Sequence, residues 1–303
     1  MAFRRPSALN PGDRVAIVAP AGSFDRESFD AGLRLLSERY TPVFDDSIFS
    51  RWRYLAGSDQ RRLRELARAL ADDETRAIFC ARGGYGVMRL LRQLDLRSSR
   101  AKALIGFSDI TALHLAMQAA GRVTIHGPVV TQLARQSRPA LDRLFALLES
   151  IEPAASLGRA TPLVSGIAEG PLIGGNLSVL SRLLGTPFLP ALRGAILLLE
   201  DVGERPYRLD RMWTHLALAG VFEQVAGVVL GNFRLCEEKD ADYDSAAVLR
   251  SLAEETGLPC AMGFPVGHCD ANLPVPLGCR VRLDAARGRL DFLEPAVEAR
   301  SAA

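Results

Sequence analysis

The sequence predicts an α/β protein with a mostly parallel sheet in its first domain and a smaller, mixed α/β second domain that ends on a β-hairpin. Three observations predict it. Short apolar runs alternate with helical patterns through the first half, as a parallel sheet with crossover helices on both faces requires. Composition then shifts where Pro153, Gly158 and Pro162 fall among small residues, placing a linker at 151–165 between domains 1–150 and 166–303. Near the end, two short apolar runs flank Arg287-Gly288, a hairpin signal. With 303 residues, 48% of them hydrophobic, the chain can bury one large core or two modest ones.

The elements follow in order. Val15 to Ala19 is an apolar run stopped by Pro20-Ala21-Gly22, hence a buried strand. Ser23 is placed to cap the next helix, whose apolar face carries Phe29, Leu33, Leu35 and Leu36. Pro42 to Phe44 reads as a strand. Asp59 to Leu70 reads as a helix with Arg61-Arg62-Leu63-Arg64 on one solvated face. Ala77 to Ala81 is a strand, followed by Arg82-Gly83-Gly84-Tyr85-Gly86 and a helix through Leu94. Ala103 to Phe107 is a strand, followed by Ser108-Asp109 and a helix through Ala120; Val123 to Ile125 is another strand. Beyond the linker, Leu172-Ile173 leads into Gly174-Gly175-Asn176, read as opening a helix to Leu184. Ile196 to Leu199 is a strand ending in Glu200-Asp201, and Val228 to Leu230 is a second. Helices cover Leu209 to Leu218 and Asp244 to Glu255, and Val281 to Leu283 with Leu290 to Leu293 make the hairpin.

Charge excludes one class of partner. The net formal charge is +2, from 37 basic and 35 acidic residues, with no Lys/Arg block suited to phosphate backbones, so nucleic acid is not expected. The five cysteines (Cys80, Cys236, Cys260, Cys269 and Cys279) are odd in number and show no C-x-x-C spacing. They read as reduced thiols in a cytoplasmic protein. The apolar stretches have strand length, short of a membrane span, and Pro11-Gly12-Asp13 interrupts any signal-like N-terminus.

Chemistry concentrates at a few points. In Gly106-Phe107-Ser108-Asp109-Ile110-Thr111 a buried strand runs into a helix with serine at the junction. That position thrusts a nucleophile out of the sheet and offers helix N–H groups to an oxyanion. A plain N-cap is the alternative. The turn Arg82-Gly83-Gly84-Tyr85-Gly86 lets backbone approach a ligand closely, as an oxyanion donor or simply as a tight turn. It matches neither dinucleotide nor P-loop patterns. Of the four histidines, His114 and His215 lie within helical patterns, and His126 begins a His-Gly-Pro turn that can line the same cleft. His268 stands in a Gly/Pro-rich loop, where functional groups concentrate. No His-Glu-x-x-His is present, so no metal is expected. Glu200 ends a buried apolar run, where a carboxylate needs a partner: a histidine to orient, or Arg205, Arg208 or Arg211 in a salt bridge.

Six segments together resemble the LD-carboxypeptidases, serine peptidase family S66, across nearly the whole chain and in the right order. They are residues 12–21 (GDRVAIVAPA), 81–86 (ARGGYG), 106–113 (GFSDITAL), 174–177 (GGNL), 198–202 with 207–212 (LLEDV and YRLDRM), and 267–278 (GHCDANLPVPLG). The resemblance implies a Ser108–Glu200–His268 triad and an oxyanion hole from the N–H groups of Asp109 and the Gly83-Gly84 turn. It implies a Rossmann-like nucleophile domain, a second domain carrying the glutamate and histidine, a homodimer, and no metal or organic cofactor. Arg82, Asn176 and Arg205 are substrate-binding candidates by motif position.

Three functions are open at this point. One is removal of a terminal D-Ala from the L,D bond of cytoplasmic murein tetrapeptides during cell-wall recycling. A second is hydrolysis of aminoacyl or peptidyl sulfamoyl adenylates, as in chains resembling microcin C immunity proteins. Those chains add an aromatic loop, whereas Trp52 and Trp213 lie outside 150–165. A third is a non-enzymatic nucleotide-binding module, which the missing G-x-G-x-x-G disfavours.

Overall fold

The computed structural model describes residues 3–97, 101–239 and 241–300. The first half contains β1 (Arg14–Val18), α1 (Arg26–Ser37), β2 (Thr41–Val43), α2 (Asp59–Ala71), β3 (Ala77–Cys80), β4 (Ala103–Gly106), α3 (Thr111–Ala119), β5 (Thr124–His126), α4 (Val130–Leu133) and α5 (Arg138–Glu149). The second contains β6 (Thr161–Val164), β7 (Ile167–Asn176), α6 (Leu177–Ser181), β8 (Ile196–Val202), α7 (Pro206–Leu218), β9 (Gly227–Arg234), α8 (Ser245–Thr256), β10 (Cys260–Met262), β11 (Val275–Leu277), β12 (Arg280–Asp284) and β13 (Arg289–Phe292).

Two sheets organise the chain. The first runs β11-β5-β4-β3-β1-β2, parallel throughout except for antiparallel β11. The second runs β13-β12-β7-β8-β9-β10-β6, with β7 to β10 parallel and antiparallel strands at both edges. This is the expected α/β architecture, including the hairpin β12–β13. Central strands β3 and β4 are apolar and buried throughout, as is β8 from Ile196 to Leu199, because a parallel sheet is covered on both faces.

Several local expectations need correction. Asp25, not Ser23, caps α1: its carboxylate accepts Ser28 N at 2.7 Å, while Ser23 N is held by Tyr54 O. Arg61 and Arg62 are not solvated but buried, at 8% and 0% exposure. The segment after Gly86 is not an α-helix. It forms two 3-10 turns, Val87–Arg89 and Leu91–Gln93, and its first N–H is taken by the Asp109 carboxyl. Gly174 and Gly175 lie inside β7 rather than opening a helix, at φ +136° and +139°. Side chains would not fit there: a Cβ on Gly174 would stand 2.0 Å from Leu198 O. The helix they were expected to start, α6, is capped by Asn176 and stops at Ser181.

Candidate active site

Ser108 is separated from the end of β4 by one residue, Phe107, and stands at the C-terminal edge of the first sheet, where ligands of open α/β sheets gather. It opens a 3-10 turn, Ser108–Ile110, that leads into α3. The cap positions belong to Phe107 and Ile110, and neither helix start has a side-chain cap, so Ser108 is not a plain N-cap. Its φ is +63°. A non-glycine residue in this region stores strain of order 1–3 kcal/mol, held in place by its surroundings, and such outliers cluster at functional sites.

The glycine turn lies against it. A Cβ on Gly83 would stand 2.7 Å from Ser108 Cβ and 3.0 Å from Ser108 Oγ, so only glycine lets the backbone come this close. Gly84 and Gly86 have φ of +103° and +136°. Gly22 N donates to Gly83 O at 3.0 Å, which brings the loop after β1 to the same place. That loop pairs Gly22 with Leu55, and the exposed rings of Tyr54 and Tyr85 meet edge-on at 5.9 Å beside the turn. Sequence reading passed over this aromatic pair, since its members lie on separate loops.

Glu200 and His268 arrive from the second sheet. Glu200 lies near the end of β8 with its side chain fully buried. His268 stands in the loop between β10 and β11. His268 Nδ1 donates to Glu200 Oε2 at 2.6 Å, and the His268 backbone N donates to the same oxygen at 3.1 Å. A carboxylate partner on Nδ1 leaves the Nε2 lone pair to accept a proton. The alternative arginine partners are elsewhere: Arg205 faces Glu238, Arg208 pairs with Glu204, and Arg211 lies over Tyr207. Phe107, the neighbour of Ser108, packs its ring on His268 with centroids 4.8 Å apart. The structure therefore brings the segments of Ser108, Glu200 and His268 together from 92 and 68 residues apart in sequence (108 to 200, 200 to 268).

The other histidines are placed differently. Burial pushes His114 down to about 4 and His126 well below the ordinary imidazole range, and His114 Nε2 bonds Gly106 O. Asp109 is buried, with its carboxyl pushed up to about 6 by burial against the opposing pull of the Val87 N–H and Arg62. Of the substrate-binding candidates, Arg82 is exposed on the glycine turn and donates to Ser23 O. Asn176 is committed: its Oδ1 accepts Val179 N and its Nδ2 donates to Asp201. Arg205 is mostly exposed at the start of α7. Arg234, unremarked in the sequence, ends β9 and reaches Asp270, two residues from His268, at 2.7 Å. Among the described residues, no group of three or more His, Cys, Asp or Glu side chains could hold a metal ion.

Two family profiles match, described as the LD-carboxypeptidase N-terminal domain over residues 15–127 and the LD-carboxypeptidase C-terminal domain over residues 169–283. The chain belongs to the LD-carboxypeptidase family. As an S66 peptidase, this LD-carboxypeptidase is a serine-type hydrolase. It is 36% identical to a probable murein peptide carboxypeptidase of Bacillus subtilis, over 93% of this chain and 92% of that one. It is 35% identical to the murein tetrapeptide carboxypeptidase of Pseudomonas aeruginosa, over 91% and 94%. Its fold superposes on the muramoyltetrapeptide carboxypeptidase of Oxalobacter formigenes with a TM-score of 0.84 at 29% identity, covering 95% of this LD-carboxypeptidase and 100% of the other. A microcin C7 self-immunity protein shares the fold with a TM-score of 0.87, at 22% identity and with 97% and 100% coverage.

Proposed function

We propose that this enzyme removes the terminal D-Ala from murein tetrapeptides, with Ser108 as nucleophile, His268 as base and Glu200 as its orienting carboxylate. The observation that carries the reading is the 2.6 Å contact of His268 Nδ1 with buried Glu200, set beside a serine strained at φ +63°. His268 Nε2 takes the hydroxyl proton as Ser108 Oγ attacks the carbonyl of the L,D bond. The N–H groups of Asp109 and the Gly83-Gly84 turn receive the developing oxyanion. D-Ala leaves with the proton from His268, and water then releases the tripeptide from the acyl-enzyme. The murein relatives at 35% and 36% identity support the substrate class.

The same reading divides the chain into a nucleophile domain, 1–150, a linker, 151–165, and a domain carrying Glu200 and His268, 166–303, and it includes a cytoplasmic homodimer. Five unpaired cysteines, four of them buried, support a reducing compartment. Sedimentation at micromolar concentration checks the dimer, with a monomer rejecting it.

Ser108→Ala is expected to cut turnover by several orders of magnitude with a nearly unchanged melt. Mass spectrometry of a tetrapeptide, its L-Ala-terminated epimer and a glutamyl sulfamoyl adenylate reads the substrate. Loss of one D-Ala from the tetrapeptide alone is the expected result. Equal rates on both epimers, or faster cleavage of the adenylate, rejects the substrate assignment while leaving the triad standing.

A further inference from the structure

The Gly83-Gly84 turn has no side chains to hold it, so other groups must fix where its N–H groups point. One end is tied to β3 and, through Gly83 O, to Gly22 N. The other end is the peptide group that joins Gly86 to Val87. Arg62 Nη1 donates to the oxygen of that peptide at 3.0 Å, and Asp109 Oδ2 accepts its N–H at 2.9 Å. One amide is thus held by a cation on its carbonyl and a carboxyl on its nitrogen. Arg62 also donates to Pro20 O, in the loop after β1, and pairs with Asp59. Both side chains are buried, Arg62 at 0% and Asp109 at 2% exposure. Charged groups in such places are costly unless well partnered. A Cβ on Gly86 would stand 2.5 Å from Arg62 Nη1, so the glycine is what admits the guanidinium.

We infer that Arg62 and Asp109 are positioning residues for the oxyanion turn, gripping the Gly86–Val87 peptide from both sides and so setting the Gly83-Gly84 backbone against Ser108. The inference rests on Ser108 being the nucleophile. Asp109 then acts twice. Its N–H faces the developing oxyanion, and its carboxyl fixes the opposite wall of the same hole, so the elbow and the turn hold one geometry.

The test is the rate at which a fluorophosphonate labels Ser108, measured beside kcat and KM on the tetrapeptide. The probe reads nucleophile and oxyanion hole whatever the natural peptide is. Asp109→Ala is expected to slow labelling and kcat by about a hundredfold with KM within about twofold, since small displacements of oxyanion donors cost that much. Asp109→Asn keeps an acceptor for the Val87 N–H. It is expected to recover at least about tenfold of that loss, and to melt no lower than the wild type. Arg62→Gln is expected to lower kcat without raising KM. Wild-type labelling and kcat in Arg62→Gln, with only a lowered melt, would overturn the inference, and this variant decides it even if Asp109→Ala does not fold. Labelling that survives Ser108→Ala removes the nucleophile assignment, and this inference with it, so the two failures are told apart.

Discussion

A Cβ on Gly267 would stand 2.3 Å from Glu200 Oε2, the oxygen that His268 uses, and Gly267 has φ +96°. Gly267→Ala is therefore expected to push the carboxylate off the imidazole. We expect kcat to fall at least about tenfold and stability by about 1–3 kcal/mol, read by steady-state kinetics and urea denaturation; a wild-type rate would show that the Glu200–His268 contact is not needed. Asp109 gives a pH prediction. Its folded pKa is raised from 3.8 to about 6, so the folded state holds the proton more tightly than the unfolded chain. Stability attributable to this group is greatest below about pH 4 and is lost as pH rises through about 6. Thermal melts of Asp109→Asn against the wild type should show a relative gain at pH 7 that shrinks towards pH 4. A constant difference would place the carboxyl's ionisation outside that window. The residues of the proposed triad were legible because each stood at an odd place: a serine at a strand–helix junction, a carboxylate ending an apolar strand, a histidine in a Gly/Pro loop. Arg62 was not, since arginines in a row read as solvent-facing. Yet Arg62, Leu66 and Ala69 share one helical face, and all three are buried. Spacing carried the signal and residue type hid it.

At the scale of elements, β7 shows why patterns of glycine mislead. The pair Gly174-Gly175 looks like a turn into a helix, but the strand runs on through it because neither residue has a Cβ to meet β8 or α3. Thr111 Oγ1, on α3, accepts Asn176 N at 3.0 Å, so the strand end is fastened to the helix that follows Ser108. Gly174→Ala is expected to destabilise the protein by several kcal/mol, because the clash is with backbone and the φ is unsuited to alanine. The urea midpoint checks it, and a shift of under about 1 kcal/mol would mean the strands part easily. The continuous apolar runs of β3, β4 and the first part of β8 were legible from composition alone. The three-residue strands β10 and β11 were not, because Pro259 before the one and Pro276 within the other read as loop. Pro162 likewise hid β6, an edge strand within the stretch read as linker.

At the scale of the molecule, the two sheets share a core. One apolar cluster joins Leu104, Ile110 and Leu113 from the first half to Ile173, Leu199 and Trp213 from the second. Polar ties run across it: Gln118 Nε2 donates to Leu172 O at 3.1 Å, and Arg143 Nε to Pro274 O at 2.7 Å. The chain itself crosses, since β11 from the second half completes the first sheet beside β5, and Ala296 and Val297 pack into the first half's outer core. An interface that is large, apolar and interwoven couples two halves more tightly than a flexible linker separates them. The expected outcome is one cooperative unfolding transition. Trp213 is buried at 2% exposure while Trp52 is 43% exposed, so Trp52→Phe leaves a single tryptophan that reports on the second half at its border with the first. In that variant the fluorescence of Trp213 and the far-UV circular dichroism should trace the same urea midpoint, since coincident probes are the mark of a two-state change. A fluorescence transition separated from the dichroism would mean that the halves unfold one at a time. A cleft assembled from both would then open before either half is lost.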